Sequence, residues 1–151
     1  MKNFESIDEI LDFAMKSEQE AIDFYNELAS QMDNPDMKET FLQFAQEEVG
    51  HKARLNKIKE EGIFDMEADK VKDLKIADYV VQSKPTKDMS YSDALILAMN
   101  REKAAFKLYT NLAKRTDHPE LKKVFQALAV EESKHKLRFE VEYDDYVMRE
   151  N

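Results

Sequence analysis

Hydrophobic residues recur at spacings of three and four residues along most of this chain, which is the spacing that places them on one side of an α-helix. Four such stripes cover residues 7–32, 37–58, 91–112 and 121–139. Each stripe is bordered by charged positions, so each helix has one face that must pack against a partner. Four long amphipathic helices in one chain predict an all-α fold, a four-helix bundle.

Short polar segments separate the helices within each half of the chain. Ser6 with Glu9 forms the pattern of a capping box at the start of the first helix. "DNP" at 33–35 and "TDHP" at 116–119 interrupt the hydrophobic spacing, and proline is well suited to the first position of a new helix. Each half is therefore predicted to fold as a helical hairpin.

The two halves are copies of one sequence. When residues 6–54 are compared with residues 90–138, a shift of 84 positions without a gap, 19 of the 49 positions are identical. An internal repeat of this length predicts that each half folds as the same unit. The fold class predicted from the repeat is a four-helix bundle made of two repeated hairpins.

We expect a single domain over 1–151, in which repeat one (about 6–61) and repeat two (about 90–148) are joined by a long crossover at about 62–88. The crossover contains one mildly apolar patch, "LKIADYVV" at 74–81, which suggests a short helix. We interpret the segment as a connection along the bundle, and a functional lid is the alternative.

Six polar residues occupy stripe positions that should face the core. Ionised carboxylates are costly in an apolar interior unless something neutralises them. The six residues are Glu18, Glu48, His51, Glu102, Glu132 and His135.

The spacing places these residues at one height. Glu18 lies 15 residues before Asp33 and Glu48 lies 15 after it, so the two carboxylates are level in an antiparallel hairpin. Repeat two has the same arrangement, and a Glu and a His three residues apart share one helical face. If the hairpins pack face to face, the six side chains converge. The charge of four carboxylates would be neutralised by two divalent cations. Carboxylate oxygens together with imidazole nitrogens are ligands that bind Fe, Mn or Zn. We expect two iron ions, with Mn or Zn as substitutes.

Other residues near the predicted site have simpler expected roles. Tyr25 and Tyr109 lie two turns after the first Glu of each repeat. Their hydroxyls could donate hydrogen bonds to the carboxylates, or the two residues could be ordinary core aromatics. Glu47 and Glu131 lie off the stripe and are predicted to be solvated. The third histidine, His118, lies in a turn and is predicted to be a surface residue.

Composition narrows the functional classes. The net charge of −9 disfavours nucleic acid and anionic membranes as partners. The sequence has no cysteine, which excludes disulfides, Fe–S clusters and thiolate metal sites within these residues. There is no apolar run long enough to span a bilayer and no signal-peptide pattern at the N-terminus. We therefore expect a soluble, cytoplasmic protein.

Four segments resemble the helices of rubrerythrins, which belong to the ferritin-like di-iron carboxylate superfamily. "EQEAIDFY" at 18–25 and "EKAAFKLY" at 102–109 resemble the first and third helices of that domain. "FAQEEVGH" at 44–51 and "LAVEESKH" at 128–135 resemble the second and fourth. The resemblance covers essentially the whole chain.

The resemblance implies a di-iron centre that reduces hydrogen peroxide or O₂. It implies two kinds of ligand: terminal ligands Glu18, His51, Glu102 and His135, and bridging ligands Glu48 and Glu132.

Two departures from the family pattern change this expectation. Rubrerythrins commonly carry an exchangeable Glu three residues after the third-helix ligand, where this chain has Ala105, so the site should be more symmetric. Full-length rubrerythrins also carry a Cys₄ iron domain that supplies electrons, so for this chain we expect a separate electron-donor protein. We also expect assembly as a homodimer or other homo-oligomer. Iron oxidation and storage, hydroxylation of a small substrate, and a non-catalytic metal-binding bundle stay as alternatives.

Overall fold

The computed structural model describes residues 4–62, 74–81, 85 and 89–150. These residues form four long α-helices and one short 3₁₀ helix. The α-helices are α1 (Ile7–Gln31), α2 (Pro35–Glu61), α3 (Tyr91–Arg115) and α4 (Pro119–Glu150). The all-α prediction is confirmed, and the helices begin and end within a few residues of the hydrophobic stripes, except that α4 continues beyond the fourth stripe to Glu150.

Side-chain caps start the first helix of each repeat. The Ser6 hydroxyl accepts a hydrogen bond from the backbone N–H of Glu9 at 3.1 Å, and the Ser90 hydroxyl accepts one from Asp93 at the same distance. These bonds satisfy backbone donors that have no partner inside the helix. The predicted cap at Ser6 is confirmed.

Caps also form the two hairpin turns. The Asn34 carboxamide oxygen accepts from the backbone N–H groups of Asp36 and Met37 at 2.9 and 3.3 Å, and Pro35 is the first residue of α2. In the second turn, His118 Nδ1 accepts from the backbone N–H of Leu121 at 3.4 Å. The prolines therefore begin new helices, as the sequence predicts.

The chain divides into two compact units. One unit contains α1 packed against α2, and the other contains the 3₁₀ helix and α3 packed against α4. Each unit is therefore one helical hairpin of the repeat. The expectation that both belong to a single domain stays a prediction.

Most of the predicted crossover lies outside the described residues, namely 63–73, 82–84 and 86–88. The predicted short helix is present within 74–81 as the 3₁₀ helix Ile76–Asp78. Tyr79 fixes this segment against α3: its side chain exposes 5% of its surface, and its hydroxyl accepts a hydrogen bond from the Asn111 amide at 2.8 Å.

Each hairpin has the same aromatic pair in its core. Tyr25 stacks on Phe41 with ring centroids 6.4 Å apart, and Tyr109 stacks on Phe125 at 6.5 Å. All four side chains are buried, and burial of an aromatic side chain stabilises a fold by about 2–3 kcal/mol. The repeated pair holds the two helices of each hairpin in the same register.

Among the described residues, no helix combines the length and the apolar character that a transmembrane span requires.

Candidate metal centre

The first hairpin brings together three buried ionisable side chains. Glu18 comes from α1, and Glu48 and His51 come from α2; they expose 2%, 1% and 2% of their surface. His51 Nδ1 lies 3.7 Å from Glu18 Oε2 and 3.5 Å from Glu48 Oε1. One ligand atom from each of the three lies within 4.8 Å of the others. This is the equal height that the spacing around Asp33 predicts.

The second hairpin repeats the arrangement. Glu102 comes from α3, and Glu132 and His135 come from α4; they expose 1%, 1% and 3%. His135 Nδ1 lies 3.5 Å from Glu102 Oε1, and one ligand atom from each residue again lies within 4.8 Å of the others. All six residues singled out by the sequence are therefore buried, in two groups of three.

The chemistry of each group fits a divalent metal ion. The nitrogen-to-oxygen separations of 3.5–3.7 Å exceed the usual hydrogen-bond length, and they suit two donor atoms that face a common ion. Two carboxylates carry a charge of −2, which one divalent cation neutralises, and a neutral imidazole adds nitrogen without charge. Carboxylate oxygen with imidazole nitrogen and no thiolate is a donor set for Fe, Mn or Zn.

The tyrosines near each group are fully buried. Tyr25 and Tyr109 expose 0% and 1%, on the same helices as Glu18 and Glu102. Their stacking on phenylalanine bears out a core aromatic role. A hydrogen bond from their hydroxyls to the carboxylates stays a prediction.

Residues predicted to lie outside the site are less buried. Glu47 and Glu131, next to the buried glutamates, have intermediate exposure. His118 is exposed in the second turn, as predicted, and caps α4. Ala21 is buried at 6%, whereas Ala105, where rubrerythrins commonly have Glu, is partly exposed.

Sequence reasoning missed one buried acid. Glu142 of α4 exposes 7% and accepts hydrogen bonds from the Tyr91 hydroxyl at 3.0 Å and from Arg149 at 3.2 Å. Burial and the adjacent Glu142 carboxylate raise the pKa of Tyr91 above its ordinary value. A signal was available: Glu142 continues the 4-3 spacing of α4 after Phe139.

Sequence reasoning also missed a shallow pocket of about 330 Å³ beside α3. Val80 and Val81 form one wall, and Asn100, Lys103 and Lys107 line the helix side. The ammonium of Lys107 lies 5.8 Å from the ring centroid of Tyr79, over the face of the ring. No periodic pattern signals such a pocket, because it depends on how 74–81 packs against α3.

Two solved structures are similar to the chain along nearly its whole length. A protein described as a candidate ferritin-like diiron-carboxylate protein, from Thermotoga maritima, is 23% identical with a TM-score of 0.78, covering 97% of this chain and 99% of that one. A hypothetical protein from Pyrococcus furiosus is 24% identical with a TM-score of 0.71, covering 92% and 89%. Similarity at this level of identity shows the fold, which is the ferritin-like four-helix bundle.

Sequence comparison identifies the family. No curated protein sequence matches the chain significantly. The sequence profile described as Rubrerythrin matches residues 9–143, which include most of both hairpins and all six buried Glu and His residues. The chain therefore belongs to the rubrerythrin family, with a ferritin-like fold and a buried carboxylate–histidine group in each hairpin that fits a metal ion.

Proposed function

We propose that this protein is a di-iron oxidoreductase that reduces hydrogen peroxide or O₂ with electrons from a separate donor protein. The observation that carries the proposal is the burial of two identical Glu, Glu, His groups in a member of the rubrerythrin family. We propose Glu18, Glu48, His51, Glu102, Glu132 and His135 as the ligands of two iron ions.

The protein's part in this chemistry is to hold charge and to exclude water. The four carboxylates total −4, which two ferrous ions neutralise, so the loaded centre is stable in a region that is closed to solvent. When bound, two ferrous ions supply the two electrons that convert hydrogen peroxide and two protons into two water molecules. The two histidines add ligand strength without adding charge.

The electrons that restore the ferrous state come from outside these 151 residues. The sequence has no cysteine and thus no Fe–S site of its own. The proposed cycle therefore needs an electron donor protein that docks to this one.

Stopped-flow absorbance tests the proposal. The protein is loaded anaerobically with ferrous iron to two ions per chain, checked by elemental analysis, and mixed with hydrogen peroxide or with O₂. We expect rapid oxidation with one peroxide consumed for every two ferrous ions. A fully loaded sample that fails to oxidise would refute the enzymatic role.

Matched pairs of variants test whether the buried glutamates, and not their neighbours in the sequence, bind the iron. Glu48→Gln and Glu132→Gln should abolish loading to two ions, whereas Glu47→Gln and Glu131→Gln, one position away, should leave loading and oxidation unchanged. An iron-storage role gives a different result: successive additions of ferrous iron would all be oxidised and retained, far beyond two ions per chain. Retention of many more than two iron ions per chain would contradict the peroxidase proposal and would support iron storage instead.

A further inference from the structure

The pocket beside α3 has an apolar wall against which a small molecule can pack. Its volume is about 330 Å³, and Val80, Val81 and the α3 residue Ala104 form the apolar part of its lining. Val80 exposes 44% of its surface, so this wall is open to solvent. Ligand pockets in proteins begin at about 300 Å³ and are lined mainly by apolar side chains with a few polar groups. The pocket is therefore large enough for a small organic molecule.

The polar side of the pocket contains a pair of lysines on α3. Lys103 and Lys107 line it together with Asn100, and all three residues are exposed. Because they are spaced by three and four residues, their side chains are neighbours on the helix, and two lysines at this spacing repel each other. The Lys107 ammonium is also attracted to the face of the Tyr79 ring, which holds it beside segment 74–81. An anion between the two ammonium groups would remove their repulsion.

The internal repeat shows that the hairpin does not require this positive charge. The four α3 residues that line the pocket total +2 in charge, whereas the equivalent residues of α1, 84 positions earlier, total −1. The α3 residues are Asn100, Lys103, Ala104 and Lys107, and the α1 residues are Lys16, Gln19, Glu20 and Asp23. Both helices occupy the same place in their hairpins, in a chain whose net charge is −9. The lysine pair therefore needs another explanation, and binding of an anion supplies one.

The pocket lies on the side of α3 that faces away from the candidate metal centre. Asn100 and Ala104 are each two residues from Glu102, which is about 200° around a helix of 3.6 residues per turn. Glu102 exposes 1% of its surface, whereas Asn100 is exposed. The body of α3 therefore separates a molecule in the pocket from the Glu102 carboxylate, and binding there does not involve metal coordination.

We propose that this pocket binds a small carboxylate with an apolar body. The carboxylate lies between the ammonium groups of Lys103 and Lys107, and the apolar body packs against Val80. Asp78, which also lines the pocket, repels a second negative charge and so favours a monoanion. Because the pocket is shallow and its lysines are exposed, we expect a Kd on the order of 1 mM for a chain of about eight carbons.

Chemical-shift titration of the full chain by NMR tests the proposal, with butanoate, hexanoate and octanoate as probes. We expect saturable binding that moves the backbone signals of 78–81 and 100–107. The affinity should rise by up to about fourfold for each added methylene, because each one buries apolar surface. Octylamine, which has the same chain length and the opposite charge, should not bind at the pocket. The proposal is overturned if octanoate does not saturate well above the expected Kd, if it moves only signals of other residues, or if octylamine binds equally well.

Variants of the lysine pair locate the carboxylate. Lys103→Gln combined with Lys107→Gln should weaken octanoate binding by about fivefold or more, because both ammonium groups are lost. The matched control is Lys114→Gln, an exposed lysine of α3 that does not line the pocket, and it should leave the affinity unchanged. Loading with Zn(II) should also leave the affinity unchanged. Octanoate binding that survives the double substitution, or that requires Zn(II) and so occurs at the metal centre, would contradict the proposed site.

Discussion

Replacing Glu48 by Gln should make the metal-free protein more stable and should reduce the stability that metal binding adds. Glu48 exposes 1% of its surface, and a carboxylate oxygen of Glu18 lies within 4.8 Å of one of its own. Two unit charges at that distance repel by about 3.5 kcal/mol at an effective dielectric constant of about 20. Glutamine has nearly the same shape and no charge. We therefore expect the metal-free variant to gain up to about 3 kcal/mol in free energy of unfolding.

Metal should offset most of this gain. A ligand that binds only the folded state at about 1,000 times its Kd stabilises it by about 4 kcal/mol. Loss of a charged ligand at Glu48 weakens the affinity, and a hundredfold loss removes about 2.7 kcal/mol of that stabilisation. The wild-type protein should then gain substantially more stability from Mn(II) or Zn(II) than the variant gains.

Urea denaturation followed by circular dichroism measures both effects at one protein concentration, with a chelator and with metal. The control is Glu47→Gln on the neighbouring, partly exposed position, where a change within about 0.5 kcal/mol is expected in both conditions. If Glu48→Gln instead destabilises the metal-free protein, favourable contacts stabilise the buried carboxylates even without a metal ion. The argument from charge repulsion is then wrong.

Three further predictions concern individual contacts. Tyr91→Phe removes a hydrogen bond to the buried Glu142 carboxylate and should cost about 1.5 kcal/mol in urea denaturation at neutral pH. Because the pKa of Tyr91 is raised in the folded protein, its hydroxyl contributes fully to the free energy of unfolding below pH about 10. Above that pH only the unfolded state ionises, so this contribution is lost as pH rises. The stability of the wild-type protein should therefore fall more steeply above pH about 10 than that of the variant. Asn34→Ala removes the cap of α2 and should cost about 1 kcal/mol by the same assay. Tyr109→Phe should lower metal affinity by about tenfold in a competition titration if its hydroxyl supports the carboxylates, and unchanged affinity would leave Tyr109 as core packing only.

The helices and the buried polar groups were predictable because both follow one periodic pattern. A stripe position is buried whatever residue occupies it, so Glu18 and Glu102 had to be inside once Leu11 and Leu95 were. The hairpin turns were predictable because proline restricts the backbone locally. These properties depend on near neighbours in the chain.

Contacts between distant residues were less accessible to sequence reasoning. The buried position of Glu142 followed from the spacing of α4, but its partner Tyr91 lies 51 residues earlier, at the first position of α3. The pocket beside α3 needs Tyr79 seated near Asn111, which no local pattern encodes. Periodicity predicts which face of a helix is buried and does not identify the residue that it meets.

The two repeats have the same buried Glu, Glu, His group and differ at many other positions. The buried residues Glu18, Glu48 and His51 are unchanged in the second copy. By contrast, the buried Ile58 becomes Glu142, and the exposed Gln46 and Ala53 of α2 become Val130 and Leu137 in α4. A stable hairpin tolerates either version of these outer positions, because both copies fold. Hairpin folding therefore does not explain why the buried Glu, Glu, His group is the same in both repeats, whereas the proposed metal-binding role does.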